Sequence, residues 1–264
     1  MTETYEVLAL KYATRDAKRH EHFISEVPDP DGPMPMDYFV WLIRNGDRTV
    51  LLDTGFKPDI GKRRGRTPLR TTSEVLSLVG IDASTVQDIV ISHLHYDHSG
   101  TIDAFPNARL HIQADELDFV TSGKNERTRG AFEVDDLAEV LRAMYAGRVR
   151  LCRGSAQPWP GLSLHLVGGH TPGSQIVRVN TKRGWVVLAA DAIHFYENMD
   201  RGIPFHGAYD PDREIASFDT SKALADSPNH VIPGHDPEVV KRYPAASPAL
   251  EGIAMRLDEP PNEA

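Results

Sequence analysis

The chain has 264 residues, of which 40% are hydrophobic and 25% charged, a balance typical of proteins that fold around a core. Asp and Glu total 38 against 29 Lys and Arg, so the formal net charge is -9. An acidic chain is repelled by a phosphate backbone, which argues against nucleic acid as a partner. No run approaches the roughly 20 apolar residues that a bilayer span requires, which argues against a membrane protein.

Alternating or apolar runs between turn residues predict strands, and apolar residues at helical spacing predict helices. In chain order these are strands Tyr5–Tyr12, Tyr38–Ile43 and Thr49–Leu52, helix Thr72–Val79, strands Asp88–Ser92 and Arg109–Gln113, helices Ala114–Thr121 and Phe132–Tyr145, strands Leu162–Val167, Gln175–Asn180 and Trp185–Ala189, helix Asp212–Ala225 and strand His230–Pro233. Segment Val27–Pro35 contains too much Pro and Gly for regular structure. A helix is expected over part of the C-terminal tail. Strands mixed with helices in both halves favour sheets covered by helices.

The organisation of the chain favours one domain over residues 1–264, because it shows no low-complexity linker and no short repeat. The single cysteine, Cys152, excludes an internal disulfide and is typical of a small core residue. The first residues lack a basic start followed by a long apolar stretch, so no signal peptide is expected and the predicted location is the cytoplasm. The loop at 33–36 could serve a contact between two copies, which leaves a homodimer open.

Three histidines and an aspartate lie within six positions directly after the predicted strand at 88–92. They are His93, His95, Asp97 and His98 in the segment SHLHYDHSG. Imidazole nitrogen and carboxylate oxygen are the usual ligands of zinc and related divalent ions. Alternate residues at a strand end, His93 and His95, can point into one space, whereas Asp97 and His98 continue from the next helix. The segment therefore predicts the meeting point of two metal ions.

Three further residues offer ligands at the ends of predicted strands. His170 lies in a Gly-rich turn, Asp191 follows the apolar run at 186–190, and His235 lies in PGHD at 233–236. Each residue alone is typical of a turn. Together with the cluster at 93–98, all three are predicted ligands.

Five segments resemble the metallo-β-lactamase superfamily, and they span most of the chain. They are LLDTG at 51–55, SHLHYDHSG at 92–100, GGHTPGS at 168–174, AADA at 189–192 and PGHD at 233–236. The resemblance implies an α/β fold, an αββα sandwich with a binuclear metal site at one edge. It also implies two divalent metal ions as cofactors. Zinc is expected first, with manganese, iron and cobalt left open because nitrogen and oxygen ligands accept them all.

The family pattern implies a ligand set for each ion. One ion would be held by three imidazoles, those of His93, His95 and His170. The other ion would be held by Asp97, His98 and His235. Asp191 would bridge both ions, and Asp53 would lie behind the ligands and orient one of them.

Two ions, about 3.5–4 Å apart in such sites, lower the pKa of a shared water towards neutrality. The expected reaction is attack of the metal-bridging hydroxide on an electrophilic carbon or phosphorus, while one ion polarises the oxygen under attack. Asp97, a ligand near the leaving side, is expected to return a proton to the departing oxygen.

Within the superfamily, the chain resembles the N-acyl-homoserine lactonases and related lactone hydrolases. The resemblance rests on its size, on DAIHFYENM at 191–199 and on the Pro-rich loop before Tyr38. It implies a small-molecule partner, a lactone whose ring is opened by hydrolysis. The chain departs from that group at His194, because those enzymes often carry there a tyrosine that bonds the substrate carbonyl. His194 is therefore a candidate catalytic residue, and the acyl-homoserine substrate is in doubt.

Residues near His194 are candidates for the substrate pocket. The candidates are Phe195, Tyr196, Met199, Phe205 and His206. Aromatic runs of this kind are also typical of packing. His20 and His22 could reach over the site or could be solvated, whereas His111, His165 and His230 lie in predicted strands and are expected to be structural. The basic segment with Lys62, Arg63, Arg64 and Arg66 is either a solvated loop or a contact for substrate or partner.

Three other functions stay open at this point. A thioesterase similar to glyoxalase II would share the seven ligands. An iron-dependent oxidoreductase of the same fold, similar to persulfide dioxygenases, would consume oxygen. The third is a metal-binding protein without catalytic activity. The chain carries all the ligands of a catalytic site, which argues against this function.

Overall fold

The computed structural model describes residues 3–46, 48–124 and 126–262. The strands in these ranges are β1 (Glu6–Arg15), β2 (Met36–Arg44), β3 (Thr49–Leu52), β4 (Thr67–Pro68), β5 (Asp88–Val90), β6 (Arg109–Gln113), β7 (Val149–Cys152), β8 (Ser155–Trp159), β9 (Leu162–Leu166), β10 (Gln175–Thr181), β11 (Gly184–Leu188), β12 (Val231–Ile232) and β13 (Ala254–Arg256). The α-helices are α1 (Pro58–Arg63), α2 (Thr72–Leu78), α3 (Tyr96–Ser99), α4 (Ala114–Thr121), α5 (Val134–Tyr145), α6 (Tyr196–Arg201), α7 (Pro211–Leu224) and α8 (Glu238–Arg242).

The strands form two sheets. The first sheet has the order β13-β1-β2-β3-β5-β6-β7, with β4 paired to β1, and the second has the order β12-β11-β10-β9-β8. Strands β3, β5, β6 and β7 run parallel to one another, so their carboxyl ends lie at one edge of the first sheet. Leu52, the last residue of β3, is paired with Val90, the last residue of β5. The loops that follow these two strands therefore start side by side.

Strand β2 shows how the layers are held together. Its side chains alternate between two faces, and both faces are buried. Phe39 and Trp41 pack in a core shared with the second sheet, whereas Val40 and Leu42 pack in a core shared with helices α2, α4 and α5. On the other side of the molecule, α7 contacts β11. The predicted α/β class and the αββα sandwich are confirmed, and the core shared by both sheets supports the proposal of a single domain.

Every predicted strand and helix occurs, with shifts of a few residues at the ends. The strand predicted at Asp88–Ser92 ends at Val90, because the chain turns there towards the metal motif. The segment at 27–35 has no strand or helix longer than a single bridge, as its composition predicts. Helix α8 lies in the C-terminal tail, where part of a helix is expected. The short strand β13 pairs with β1, and no sequence pattern predicts this strand. None of the helices in the described ranges is long and apolar enough to cross a membrane.

Candidate metal centre

The seven predicted ligands come together at one edge of the sandwich. His93, His95, Asp97 and His98 follow β5, His170 precedes β10, Asp191 follows β11 and His235 follows β12. All seven residues are buried, with at most 8% of their surface exposed. The loops that carry Asp191 and His235 pack closely against each other. A Cβ at Gly234 would lie only 2.5 Å from the carbonyl oxygen of Ala190. Glycine therefore permits the loop of His235 to approach the loop of Asp191.

The first group consists of three imidazoles whose nitrogens face one another. Nε2 of His93 and Nε2 of His170 each lie 3.0 Å from Nδ1 of His95. Burial lowers the pKa of His95 to about 4 and holds the pKa of His93 and of His170 well below the ordinary value. The imidazoles are therefore neutral at pH 7, which is the form that binds a metal ion.

The second group consists of Asp97, His98 and His235. Oδ2 of Asp97 lies 3.8 Å from Nε2 of His98 and 3.9 Å from Nε2 of His235. Nδ1 of His235 bonds the backbone oxygen of Asp37 at 2.8 Å, which leaves Nε2 directed at the group. The ligand atoms of these three residues lie within 4.8 Å of one another.

Asp191 connects the two groups. Its Oδ2 lies 3.2 Å from Nε2 of His170 and 3.7 Å from Nε2 of His93. Its Oδ1 lies 3.1 Å from Nε2 of His98 and 2.9 Å from Nε2 of His235. One carboxylate oxygen thus faces each group. This is the arrangement that a carboxylate bridging two cations would require.

The donor atoms fit two divalent ions. Nε2 of His98 and Oδ1 of Asp191 are buried and have no hydrogen-bond partner of acceptable geometry among the described residues. Buried polar atoms without partners are costly unless a ligand satisfies them. Imidazole nitrogens and carboxylate oxygens in this number match the preferences of zinc, and manganese, iron or cobalt would also be accepted.

Asp53 lies directly behind His98. Its carboxylate is 2.7 Å from Nδ1 of His98 and accepts hydrogen bonds from the backbone N–H and the hydroxyl of Ser92, at 2.7 and 2.8 Å. Asp53 has a φ of +63°, a conformation that is uncommon for a residue other than glycine and that occurs at functional sites. The carboxylate is therefore placed to fix the orientation of the His98 ring, which is the role predicted for it.

Glu116, a residue that no sequence pattern marks, connects two loops that carry predicted ligands. It lies near the start of α4 and is fully buried. Its Oε1 accepts from the backbone N–H of Leu94 at 2.9 Å, and its Oε2 accepts from the hydroxyl of Thr171 at 2.6 Å and the N–H of Gly173 at 3.1 Å. A side chain at Gly173 would clash with Glu116, so glycine is required for this contact. One carboxylate thus holds the loop of His93 and His95 against the loop of His170.

We expect Glu116→Gln to weaken metal binding about tenfold, because partners behind metal ligands typically contribute one to two orders of magnitude in affinity. The amide cannot accept on both sides as the carboxylate does. The measurement is zinc retention in competition with a chelator. Asp118→Asn, on the same helix but with a side chain 69% exposed, is the matched control and should bind like the unaltered protein. Equal retention by Glu116→Gln would contradict the role.

His194 lies inside the site rather than at its rim. Its Nε2 is 3.1 Å from Oδ2 of Asp191, and its ring stacks on Phe205 with centroids 3.6 Å apart. Asp191, His194 and His235 offer ligand atoms within 4.8 Å of one another. His194 can therefore contact a substrate or supply an additional ligand.

The aromatic residues after His194 do not all reach the cavity. Phe205 and His206 line it, whereas Phe195 and Tyr196 do not. Phe195 packs on His22 with ring centroids 4.5 Å apart, and Tyr196 begins α6 with the guanidinium of Arg242 over its ring. Both rings therefore pack outside this cavity, that of Phe195 from the extended backbone before α6.

The other histidines lie outside the ligand set. His22 is fully buried and bonds the backbone oxygen of Met34, whereas His20 is exposed on its loop. His111 pairs with Asp88 at 2.9 Å. His165 and His230 bond nearby serines, which agrees with a structural role.

A cavity of about 560 Å³ borders the predicted metal ligands. Five of the seven predicted ligands line it: His95, Asp97, His170, Asp191 and His235. His194, Phe205 and His206 form one wall, and Tyr38, Tyr96 and four arginines contribute to the rest. The size suits a small-molecule substrate.

Comparisons with known proteins agree with this geometry. A family model of the metallo-β-lactamase superfamily matches residues 34–235. An N-acyl homoserine lactonase of Bacillus thuringiensis subsp. kurstaki is 25% identical over 228 residues, which cover 80% of this chain and 86% of that protein. A probable metallo-hydrolase of Mycobacterium tuberculosis is 26% identical over 234 residues, covering 76% and 72%.

Solved structures show the same fold. A quorum-quenching N-acyl homoserine lactone lactonase superposes with a TM-score of 0.75 at 22% identity, covering 90% of this chain and 95% of its own. A dizinc quorum-quenching lactonase with bound product superposes with a TM-score of 0.69 at 19% identity, covering 90% and 89%. The chain therefore belongs to the metallo-β-lactamase superfamily and is a metal-dependent hydrolase.

Proposed function

We propose that the protein hydrolyses a lactone, with two divalent ions, zinc foremost, held by the seven buried ligands. The observation that carries the proposal is the carboxylate of Asp191, whose two oxygens each face one group of imidazoles beneath a small-molecule cavity. Relatives that are N-acyl homoserine lactonases support the choice of a lactone as substrate.

The residues of the site would have separate roles. His93, His95 and His170 would hold one ion, Asp97, His98 and His235 the other, and Asp191 both. When bound, the ions lower the pKa of a water and polarise a carbonyl oxygen. Asp53 would keep Nε2 of His98 directed inwards through its contact with Nδ1. Burial of the whole set excludes bulk water and strengthens each electrostatic contact.

Asp97 would return a proton to the oxygen that leaves. Its side chain is 10% exposed, more than those of His98, His235 and Asp191, and it lines the cavity. A ring oxygen of a bound lactone can therefore reach it. One carboxylate oxygen faces His98 and His235, which leaves the other free to carry the proton.

His194 would contact the substrate carbonyl. Its Nδ1 is buried and has no hydrogen-bond partner among the described residues. Stacking on Phe205 fixes the ring plane. The same ring could instead bind an ion through Nε2, which is 3.1 Å from Asp191.

The rival hydrolase is a thioesterase, and the rival oxidoreductase is an iron enzyme that consumes oxygen. The seven ligands alone do not separate them, since the same set serves all three. The lactonase relatives favour the lactone.

The test is proton release by metal-replete protein on one panel of acyl-homoserine lactones, simple and aryl-fused lactones, glutathione thioesters and a β-lactam. We expect turnover of lactones, its loss in chelator-stripped protein and its return with zinc or cobalt. Turnover of thioesters alone, or oxygen consumption with bound iron and no hydrolysis, would replace the lactone proposal. Full activity in protein shown to be metal-free would exclude the mechanism.

A further inference from the structure

The cavity wall is cationic although the chain is acidic. Four arginines line the cavity: Arg15, Arg64, Arg66 and Arg127. Among the described residues of the lining, the acidic ones are Asp97 and Asp191, both predicted metal ligands, and none is a glutamate or a lysine. With a net charge of -9 over the chain, this concentration of arginine points to a local function.

Arg66 is the arginine best placed to bind a ligand. Its Nε bonds the hydroxyl of Tyr96 at 2.9 Å, and its Nη1 bonds the backbone oxygen of Arg64 at 2.5 Å. It is partly buried and forms no ion pair with a carboxylate within the described ranges. Its neighbours differ in this respect, because Arg64 pairs with Glu133 and Arg15 pairs with Glu21. Taking a guanidinium partly out of water without a counter-ion is unfavourable, and a bound anion would relieve the cost.

Tyr96 joins this arginine to the metal group. It lies between two predicted ligands, His95 and Asp97, and its buried ring stacks on Phe56. The guanidinium of Arg64 lies 4.2 Å above the same ring, and Arg66 bonds its hydroxyl. The position of Arg66 relative to the metal ligands is therefore fixed by a rigid aromatic residue.

Two more observations mark a binding site here. The hydroxyl of Tyr38 is buried in the cavity lining near Tyr96 and makes no hydrogen bond of acceptable geometry among the described residues. Arg127, which also lines the cavity, is exposed, donates a hydrogen bond only to the backbone oxygen of Tyr209 in the part of the chain that is described, and forms no ion pair there. A hydroxyl without a hydrogen bond of acceptable geometry and two arginines without counter-ions thus surround one space.

We propose that this wall is an anion-binding subsite, and that the substrate is a lactone or related ester carrying a carboxylate or phosphate group that Arg66 binds. The inference rests on the proposed hydrolase function and names its substrate class. A guanidinium offers two parallel N–H donors to either anion, which gives both affinity and orientation. The reacting carbonyl would then face Asp191 and the anionic group would face Arg66.

The test compares three lactones with one ring: γ-hydroxymethyl-γ-butyrolactone, its phosphate ester and γ-carboxy-γ-butyrolactone. We expect kcat/KM to be at least tenfold higher for one or both anionic members than for the neutral member. The better anionic member identifies the group as phosphate or carboxylate. In Arg66→Gln this preference should fall at least tenfold, and Arg66→Lys should restore part of it.

The matched control is Arg63→Gln. Arg63 belongs to the same basic segment, but its side chain is 61% exposed, pairs with Glu133 and lies outside the cavity lining. Its preference ratio should stay within twofold of the unaltered protein. An unaltered protein that treats the neutral and anionic lactones alike, or an unchanged ratio in Arg66→Gln, would overturn the proposal. A purely structural role of Arg66 would lower all three rates and leave the ratio constant.

A measurement of ligand binding tests the anion-binding subsite even if the hydrolase proposal fails. If no lactone is hydrolysed, the hydrolase proposal fails, and calorimetry on metal-replete protein compares 2-hydroxyglutarate with 4-hydroxybutyrate. At least tenfold tighter binding of the dianion, lost in Arg66→Gln, would support the subsite, and equal binding would refute it. If circular dichroism shows that Arg66→Gln is unfolded, Arg127→Gln at the exposed rim replaces it. We then expect the anionic preference to fall about threefold, and an unchanged preference would count against the subsite.

Discussion

Asp191→Asn is expected to lower kcat/KM for lactone hydrolysis about a thousandfold or more and to remove most bound metal. The carboxylate presents one oxygen to each group of imidazoles, at 3.2 Å from His170 and 2.9 Å from His235. An asparagine side chain has a single oxygen and no charge, and its NH₂ group would face lone pairs of one imidazole group. A thousandfold corresponds to about 4 kcal/mol of transition-state stabilisation, which is consistent with loss of a bridging ligand.

The measurements are metal content by elemental analysis and kcat/KM on the same protein sample. Asp88→Asn is the matched control, because Asp88 is also a buried aspartate and pairs with Arg109 and His111 at the opposite end of β5. It should lose stability while its activity per bound metal stays within about threefold. An Asp191→Asn protein that keeps two ions and full activity would contradict the bridging role.

The first cluster of candidate ligands could be predicted because its members are close together in sequence. His93, His95 and His98 are close in sequence and follow a short buried strand, so the backbone brings them near each other whatever the rest of the fold does. The distant candidates His170, Asp191 and His235 could be named from their positions at the ends of predicted strands, but their division between two ions required the family resemblance, since nothing in a single turn shows which other loop it will meet. The αββα architecture could be predicted only from the family resemblance, because local patterns do not show which strands pair or which layers pack together.

Contacts that depend on tertiary packing could not be predicted. The role of Glu116 depends on how the first turn of α4 meets the loops at Leu94 and Gly173, and a single buried glutamate leaves no periodic pattern. The directions of Phe195 and Tyr196 depend on the extended residue before α6. The basic segment was ambiguous in sequence, and the structure divides it, because Arg66 lines the cavity while Arg63 is outside it.

Asp97→Asn is expected to lower kcat/KM about a hundredfold for an alkyl lactone and less than tenfold for an aryl lactone of the same ring size. The reason is the leaving oxygen. An aliphatic alkoxide is strongly basic and needs a proton as it departs, whereas a phenoxide, with a pKa of about 10, can leave without one. Suitable substrates are δ-valerolactone and dihydrocoumarin, both with six-membered lactone rings.

The dependence on leaving group distinguishes proton transfer by Asp97 from its role as a ligand. Loss of metal would lower turnover of both lactones by the same factor, as we expect for Asp191→Asn, so only a lost proton donor produces an unequal effect. Asp103→Asn is the matched control, because Asp103 lies a few residues on, is 49% exposed and pairs with Lys57. Equal losses on the two lactones in Asp97→Asn, with both ions retained, would assign the proton to another group. His194 would then be the next candidate, since its ring lines the cavity and its Nδ1 has no partner in the described ranges.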